Sequence, residues 1–249
     1  MGRKNKRDKD NSKSKKVTYD DIQPQIKKKF HEKDLIKIQP LTENQKLFFN
    51  LYDNTPKHLI LTGSAGTGKS MCAIYKLLTD VLENKYDKLL IIRGACPINS
   101  VGFLPGSLEE KLEVFETPYM GIFDNLFEFS NAYKNLKEIG KVEFISTSYV
   151  RGQTFDNSAI FIDEIGGLTY HEIFSVLTRV GENSRFVMAG DFAQNDLIYK
   201  RFLESGFPRL EKVIKQIPSI ERIQFTRDDI VRSSFVKDLI IADEDTPDF

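Results

Sequence analysis

The stretch HLILTGSAGTGKS, residues 58–70, decides how the rest of the chain is read. His58–Thr62 is a short aliphatic run of strand character that leads straight into GSAGTGKS. Those eight residues fit G-x-x-x-x-G-K-[ST] completely, a match that arises by chance in about one chain in a hundred of this length. Met71, Ile74, Leu77, Leu78 and Val81 follow at helical spacing, so the motif sits between a strand and a helix. Gly63, Gly66 and Gly68 let backbone N–H groups converge on phosphate oxygens at the positive end of that helix. Lys69 is expected to reach the β- and γ-phosphates, and the Ser70 hydroxyl to ligate Mg²⁺. A nucleoside triphosphate held by Gly63, Ser64, Ala65, Gly66, Thr67, Gly68, Lys69, Ser70 and Met71 is the expectation.

A second apolar run, Ala159–Asp163, ends in Asp163-Glu164. Asp163 is expected to hold the metal through water, and Glu164 to polarise the attacking water as general base. An acid directly after the metal aspartate favours the RecA-like branch of P-loop enzymes over GTPases and small-molecule kinases. That branch inserts a further strand between the P-loop and Asp-Glu strands, with a polar sensor at its tip. The next strand-like run is Arg185–Gly190, followed by Asp191-Phe192-Ala193-Gln194. Gln194 is the sensor candidate; a plain loop glutamine is the alternative.

Strand-like runs at 58–62, 88–93, 142–146, 159–163, 185–190 and 221–225 alternate with helical patterns. Leu108, Leu112 and Phe115 form one helix face behind a Ser107/Glu110 capping box. Ile173, Val176, Leu177 and Val180 form another behind a Thr169/Glu172 box, with a stop at Gly181. Thr42 and Gln45 make a box that opens a helix through Tyr52, where order is expected to begin. The fold class is α/β, a mostly parallel sheet covered by helices on both faces.

Apolar residues make up 40% of the 249, enough for one such domain. No window approaches the ~18 consecutive apolar residues of a membrane helix. The basic N-terminus lacks the apolar core of a secretory signal. Cys72, Cys96 and three histidines make neither a disulfide framework nor a zinc site, so a cytoplasmic setting is expected. Residues 1–37 hold thirteen Lys/Arg against six Asp/Glu, and the rest of the chain carries the matching acidic excess. The expected layout is a basic, largely disordered arm over 1–40, one ATPase domain over 41–240 and an acidic tail over 241–249. The arm is either a solvated tail or a phosphate-binding extension for nucleic acid.

Several segments together resemble the PhoH family, P-loop ATPases related to the first RecA-like domain of superfamily 1 helicases. They are GSAGTGKS at 63–70, GFLPGSLEEK at 102–111, YVRGQTF at 149–155, FIDE at 161–164, LTRVG at 177–181, AGDFAQNDL at 189–197 and FTRDDIVRS at 225–233. The resemblance covers residues 40–240 and implies hydrolysis of ATP with Mg²⁺, a homo-oligomer of six subunits in a ring, and action on single-stranded RNA or DNA. A Lys-rich tail on a short chain would suit a phage-encoded copy. Gln45, 24 residues before Lys69, then reads the adenine edge, beside its capping-box reading. Two departures stand out: Asp163-Glu164-Ile165-Gly166-Gly167 where the family has Asp-Glu-Ala-Gln-Asn, and Arg93-Gly94 where it has Arg-Pro. The two glycines remove a glutamine that couples phosphate to nucleic acid, and they are expected to loosen the turn before Thr169.

Nucleic acid is expected on the loops after the second and third strands, through Arg93, Asn99, Ser100, Phe103, Arg151 and Thr154. Phe103 either stacks on a base or docks its loop onto the sheet. A single RecA-like domain also needs an arginine from a neighbouring subunit, and Arg179, Arg151 and Arg232 are the candidates, with Arg227 behind them. The alternative function is a slow, ATP-regulated interaction protein without unwinding activity.

Overall fold

The computed structural model of the chain describes residues 29–94, 108–191 and 205–246. Asn99, Ser100, Phe103, the Ser107 cap, Gln194 and the arm before residue 29 lie outside the described residues. All six expected strands form: β1 (His58–Gly63), β2 (Lys88–Arg93), β3 (Val142–Ser146), β4 (Ser158–Asp163), β5 (Arg185–Gly190) and β6 (Ile220–Phe225). They make one sheet in the order β3-β2-β4-β5-β1-β6, with every neighbouring pair parallel. β5 therefore lies between the P-loop strand and the Asp-Glu strand, as the RecA-like reading expects.

The inner strands β2, β4, β5 and β1 are covered on both faces, which is why their middles are apolar rather than alternating, whereas the edge strands β3 and β6 carry Glu143, Glu221, Arg222 and Gln224. Leu59, Leu61, Leu89, Ile91 and Phe161 join one core with residues of α1 (Glu43–Asn54), α2 (Lys69–Leu82), α3 (Leu108–Leu126) and α4 (Ala132–Glu138). Ile60, Leu90, Ile92, Ile160 and Ile162 join the other with residues of α5 (Tyr170–Leu177) and α6 (Phe207–Ile214). The aromatic stretch from Phe115 to Tyr133 packs as helix core, with Tyr119, Phe123, Phe127 and Tyr133 buried. The final helix, α7 (Ser234–Asp245), has no buried residue. Among the described residues no helix is long and apolar enough to cross a membrane.

Several boundaries differ from those expected. Phe30 and Leu35 are already buried ahead of Thr42, Leu35 bridges Phe127, and the Ile36 N–H donates to the Leu126 carbonyl at 2.8 Å. Phe30, Leu35, Ile36 and Ile38 stand among charged residues and show no regular period, so their docking is not readable locally. α5 stops at Leu177 rather than Gly181, because Arg179 and Gly181 turn their backbone to Phe155 ahead of β4. Asp243–Asp245 close α7 instead of forming a tail, and Arg227 pairs with Glu244 and Asp245. The turn at Gly166-Gly167 is not loose: Gly167 N donates to Glu164 O at 3.0 Å and Leu168 N to Ile165 O at 3.2 Å. Ile165 and Leu168 anchor it in the core.

Candidate nucleotide and metal site

The P-loop departs from β1 at Gly63, whose φ of 117° favours glycine, and a Cβ there would lie 1.8 Å from the Phe225 carbonyl oxygen of β6. Gly68, also left-handed with φ 79°, is the N-cap of α2, so the loop delivers its backbone N–H groups to the helix N-terminus. Lys69 is buried and lies back along the loop, donating to the carbonyls of Gly63 at 2.8 Å and Ser64 at 2.6 Å and to Thr67 Oγ1 at 3.2 Å. Burial lowers the pKa of its ammonium, opposed by the fields of Asp191, Asp163 and Asp229.

β1 and β4 end side by side across β5, bringing together residues far apart in sequence. Ser70 Oγ donates to Asp163 Oδ1 at 3.3 Å, spanning 93 positions. The backbone N–H of Glu164 donates to the same oxygen at 3.0 Å, and the Tyr119 hydroxyl donates to Asp163 Oδ2 at 3.0 Å. Burial, and then the neighbouring Glu164 charge, push the Asp163 carboxyl up to about 6; Tyr119, the Glu164 N–H and Arg93 pull the other way. Glu164 itself has φ 53°, and its carboxylate is paired with the Arg93 guanidinium from the end of β2.

One hydroxyl and one carboxylate so placed suit Mg²⁺, which takes one or two protein oxygens and completes its shell with phosphate and water oxygens. Among the described residues no group of three His, Cys, Asp or Glu could hold a metal alone.

The cleft above these groups holds about 620 Å³, within the range of small-molecule sites. Gln45 in α1 forms part of its wall and is buried. Its Oε1 accepts from the Leu41 N–H at 2.7 Å and its Nε2 donates to the Thr67 carbonyl at 2.9 Å. The expected capping box is thus realised with Leu41 rather than Thr42 on the return bond, while the Thr42 hydroxyl accepts from Gln45 N at 3.4 Å. Opposite, Val231 N donates to Gly66 O at 3.0 Å, and the Arg232 side chain crosses Gly66 of its own P-loop. Asp229 ties this segment to α1, accepting from Asn44 Nδ2 at 2.7 Å.

Of the remaining expected residues, Arg93 sits on Glu164 rather than standing free, and Arg227 is engaged by its own α7. Arg151 and Thr154 are exposed, but Thr154 lies against Gly181 beside the start of β5. The segment after β3 runs back down the sheet to begin β4, which separates Thr154 from the end that carries Arg93. Arg179 lies at that lower end too, its carbonyl accepting from Phe155 N at 2.8 Å. Tyr119, Asn44 and Asp229 do not stand out in the sequence; single polar residues inside helical or turn patterns give no periodic signal.

The sequence pattern of PhoH-like proteins matches residues 37–243. A PhoH-like protein of Synechocystis is 32% identical over 185 residues, covering 73% of this chain and 55% of that protein. Protein PhoH2 of Bacillus subtilis is 34% identical over 198 residues, covering 76% of this chain and 44% of its own length. The chain spans about half the length of these relatives. Among solved structures, the large terminase of a thermophilic bacteriophage aligns with a TM-score of 0.46 at 13% identity, over 81% of this chain and 50% of that one. The Pif1 helicase of Candida albicans aligns with a TM-score of 0.37 at 17% identity, over 76% of this chain and 40% of that one.

Proposed function

The chain belongs to the PhoH-like family, and on that premise we propose that it hydrolyses ATP with Mg²⁺ and acts on single-stranded RNA or DNA as a ring of identical subunits. The observation that carries this reading is the bond from Ser70, at the end of the P-loop, to Asp163 at the end of β4, with the field of Asp163 reaching Lys69. Ser70 and, through water, Asp163 would hold Mg²⁺, which when bound offsets phosphate charge. Lys69 turns from the loop carbonyls to the β- and γ-phosphates, exchanging neutral acceptors for charged ones. Gln45 has one amide N–H and one carbonyl lone pair left after its bonds to Thr67 and Leu41. That remaining donor–acceptor pair matches the N7 and N6 edge of adenine; guanine presents two acceptors there.

Glu164 is the general base of the proposal, and to act as one it must part from Arg93. Nucleic-acid phosphates arriving at the end of β2 would compete for Arg93 and free the carboxylate. Arg93, with Asn99, Phe103 and Arg151, is the proposed contact set; Thr154 lies away from that face. The basic stretch at residues 1–16, with eight Lys/Arg against two Asp, adds phosphate affinity. The Arg93–Glu164 pair also favours a second reading, in which the chain hydrolyses ATP slowly and serves as an ATP-regulated interaction protein.

Substitutions in the cleft test the core of the proposal. Lys69→Ala should abolish ATP binding in calorimetry, whereas Glu164→Gln should keep ATP bound and slow hydrolysis at least ~100-fold, the scale of general-base loss. Equal loss of binding in both variants would remove Glu164 as the base. Titrating single-stranded RNA and DNA into the ATPase assay separates the two readings: stimulation supports action on nucleic acid, and a flat slow rate supports the interaction protein.

A further inference from the structure

We propose that Tyr119 is a positioning residue that presents the Asp163 carboxylate to the cation, an inference that rests on Asp163 as the Mg²⁺-side acid. Tyr119 lies in α3, next to Pro118, and is 1% exposed. Its hydroxyl donates to Asp163 Oδ2 at 3.0 Å, leaving Oδ1 on the side of Ser70 Oγ and the Glu164 N–H. An aspartate side chain turns easily about its terminal bond, and two unequal oxygens are a way to stop it. With Oδ2 held by an O–H donor from one side and Oδ1 by an N–H and a hydroxyl from the other, one carboxylate orientation remains. The ring that carries the donor is itself fixed, packed 5.9 Å from Phe144.

This arrangement has the logic of outer-shell partners in metal sites, where the group that orients a ligand governs cation affinity without touching the cation. α3 also contributes Pro118, Gly121 and Ile122 to the nucleotide cleft. One helix thus shapes the cavity and sets the acid at its floor. A buried tyrosine that merely needed any acceptor would leave cation affinity unchanged when its hydroxyl is removed. Tyr133 supplies that comparison, since its buried hydroxyl donates to Glu116 Oε2 at 2.7 Å.

The test uses the full chain, ADP as probe and calorimetry, first in EDTA and then at stepwise MgCl₂. Tyr119→Phe is expected to bind ADP in EDTA as the wild type does, and to need about 10-fold or more MgCl₂ for half of the Mg²⁺-dependent gain in affinity. Tyr133→Phe should leave both quantities unchanged. An unaltered MgCl₂ midpoint in Tyr119→Phe overturns the inference, as does an equal loss of ADP affinity with and without Mg²⁺. A double-mutant cycle with Asp163→Asn guards against a folding artefact: once the charge is gone, Tyr119→Phe should shift the midpoint no further. A wild type whose ADP affinity ignores Mg²⁺ would instead sink the assignment of Asp163 itself.

Discussion

Glu164 combines two unusual conditions: a left-handed backbone at a residue with a side chain, and a carboxylate held by Arg93. Such a backbone costs on the order of 1–3 kcal/mol and persists only where the surroundings impose it; here the anchored turn from Ile165 to Leu168 does so. The Arg93 side chain is 19% exposed and that of Glu164 61%, so the pair is partly screened and worth ~0.5–1 kcal/mol. Arg93→Ala should therefore raise ATPase activity without nucleic acid by about two- to fivefold, the same energy read as a rate, and blunt stimulation by oligonucleotides. Phosphate release measured with and without single-stranded RNA checks both halves; an unchanged basal rate with full stimulation would put the ion pair outside the cycle. At Gly63 the issue is space as well as φ. Gly63→Ala sets a methyl against the Phe225 carbonyl, and a loss of about 3 kcal/mol is expected in urea unfolding.

At the scale of elements, α1 shows how Gln45, the proposed adenine contact, is held in place from the far end of its helix. Arg185, buried at the start of β5, donates to the carbonyls of Tyr52 at 2.8 Å, Thr55 at 2.9 Å and Lys57 at 2.9 Å, closing the C-terminus of α1. Its guanidinium lies 3.9 Å from the centre of the Tyr52 ring, whose hydroxyl donates to Asp80 of α2 at 2.6 Å. Arg185→Met should cost about 3 kcal/mol, because charged donors vanish and buried carbonyls lose partners. Weakened ADP binding should accompany the lower midpoint, since the other end of α1 carries Gln45; full stability in Arg185→Met would refute the clamp. Little of this is legible in the sequence, where Arg185 reads as the first polar residue of a strand. The inner strands are legible, because residues buried on both faces leave uninterrupted apolar runs. So are the P-loop and Asp163-Glu164, whose chemistry fixes residue types at short spacing. Contacts that depend on sheet order, such as Arg93 with Glu164 or Tyr119 with Asp163, join separate segments and leave no local pattern. The glycines at 166–167 mislead for the converse reason: a flexible residue reads as a loose turn, yet its apolar neighbours fix the chain.

On the scale of the whole molecule, the P-loop and Asp163 sit at one end of the sheet, and two of the candidate arginines, Arg232 and Arg179, fall at opposite ends of it. Arg232 lies against Gly66 of its own P-loop, so the role proposed for it would be played within the subunit. Arg179 meets Phe155, below the start of β4, and a six-residue strand at ~3.3 Å per residue puts it about 20 Å from the Asp163 end. It cannot serve its own nucleotide, but a head-to-tail contact would carry it to a neighbour's, and such contacts close into rings when the rotation permits. Arg179→Ala and Glu164→Gln should then each be inactive alone for different reasons. The first keeps its base and lacks the arginine it would lend; the second lends its arginine and lacks its base. In a random equal mixture, about one interface in four pairs an intact base with an intact arginine, whatever the size of the ring. Activity should recover to about a quarter of the wild-type rate at that ratio and fall away on either side, because an arginine finger is worth ~10³–10⁵ in rate and unmatched interfaces contribute almost nothing. Mixtures that stay inactive at every ratio, after exchange of subunits has been verified, would remove Arg179 from the shared site, and a wild type that is fully active as a monomer in light scattering would remove the ring.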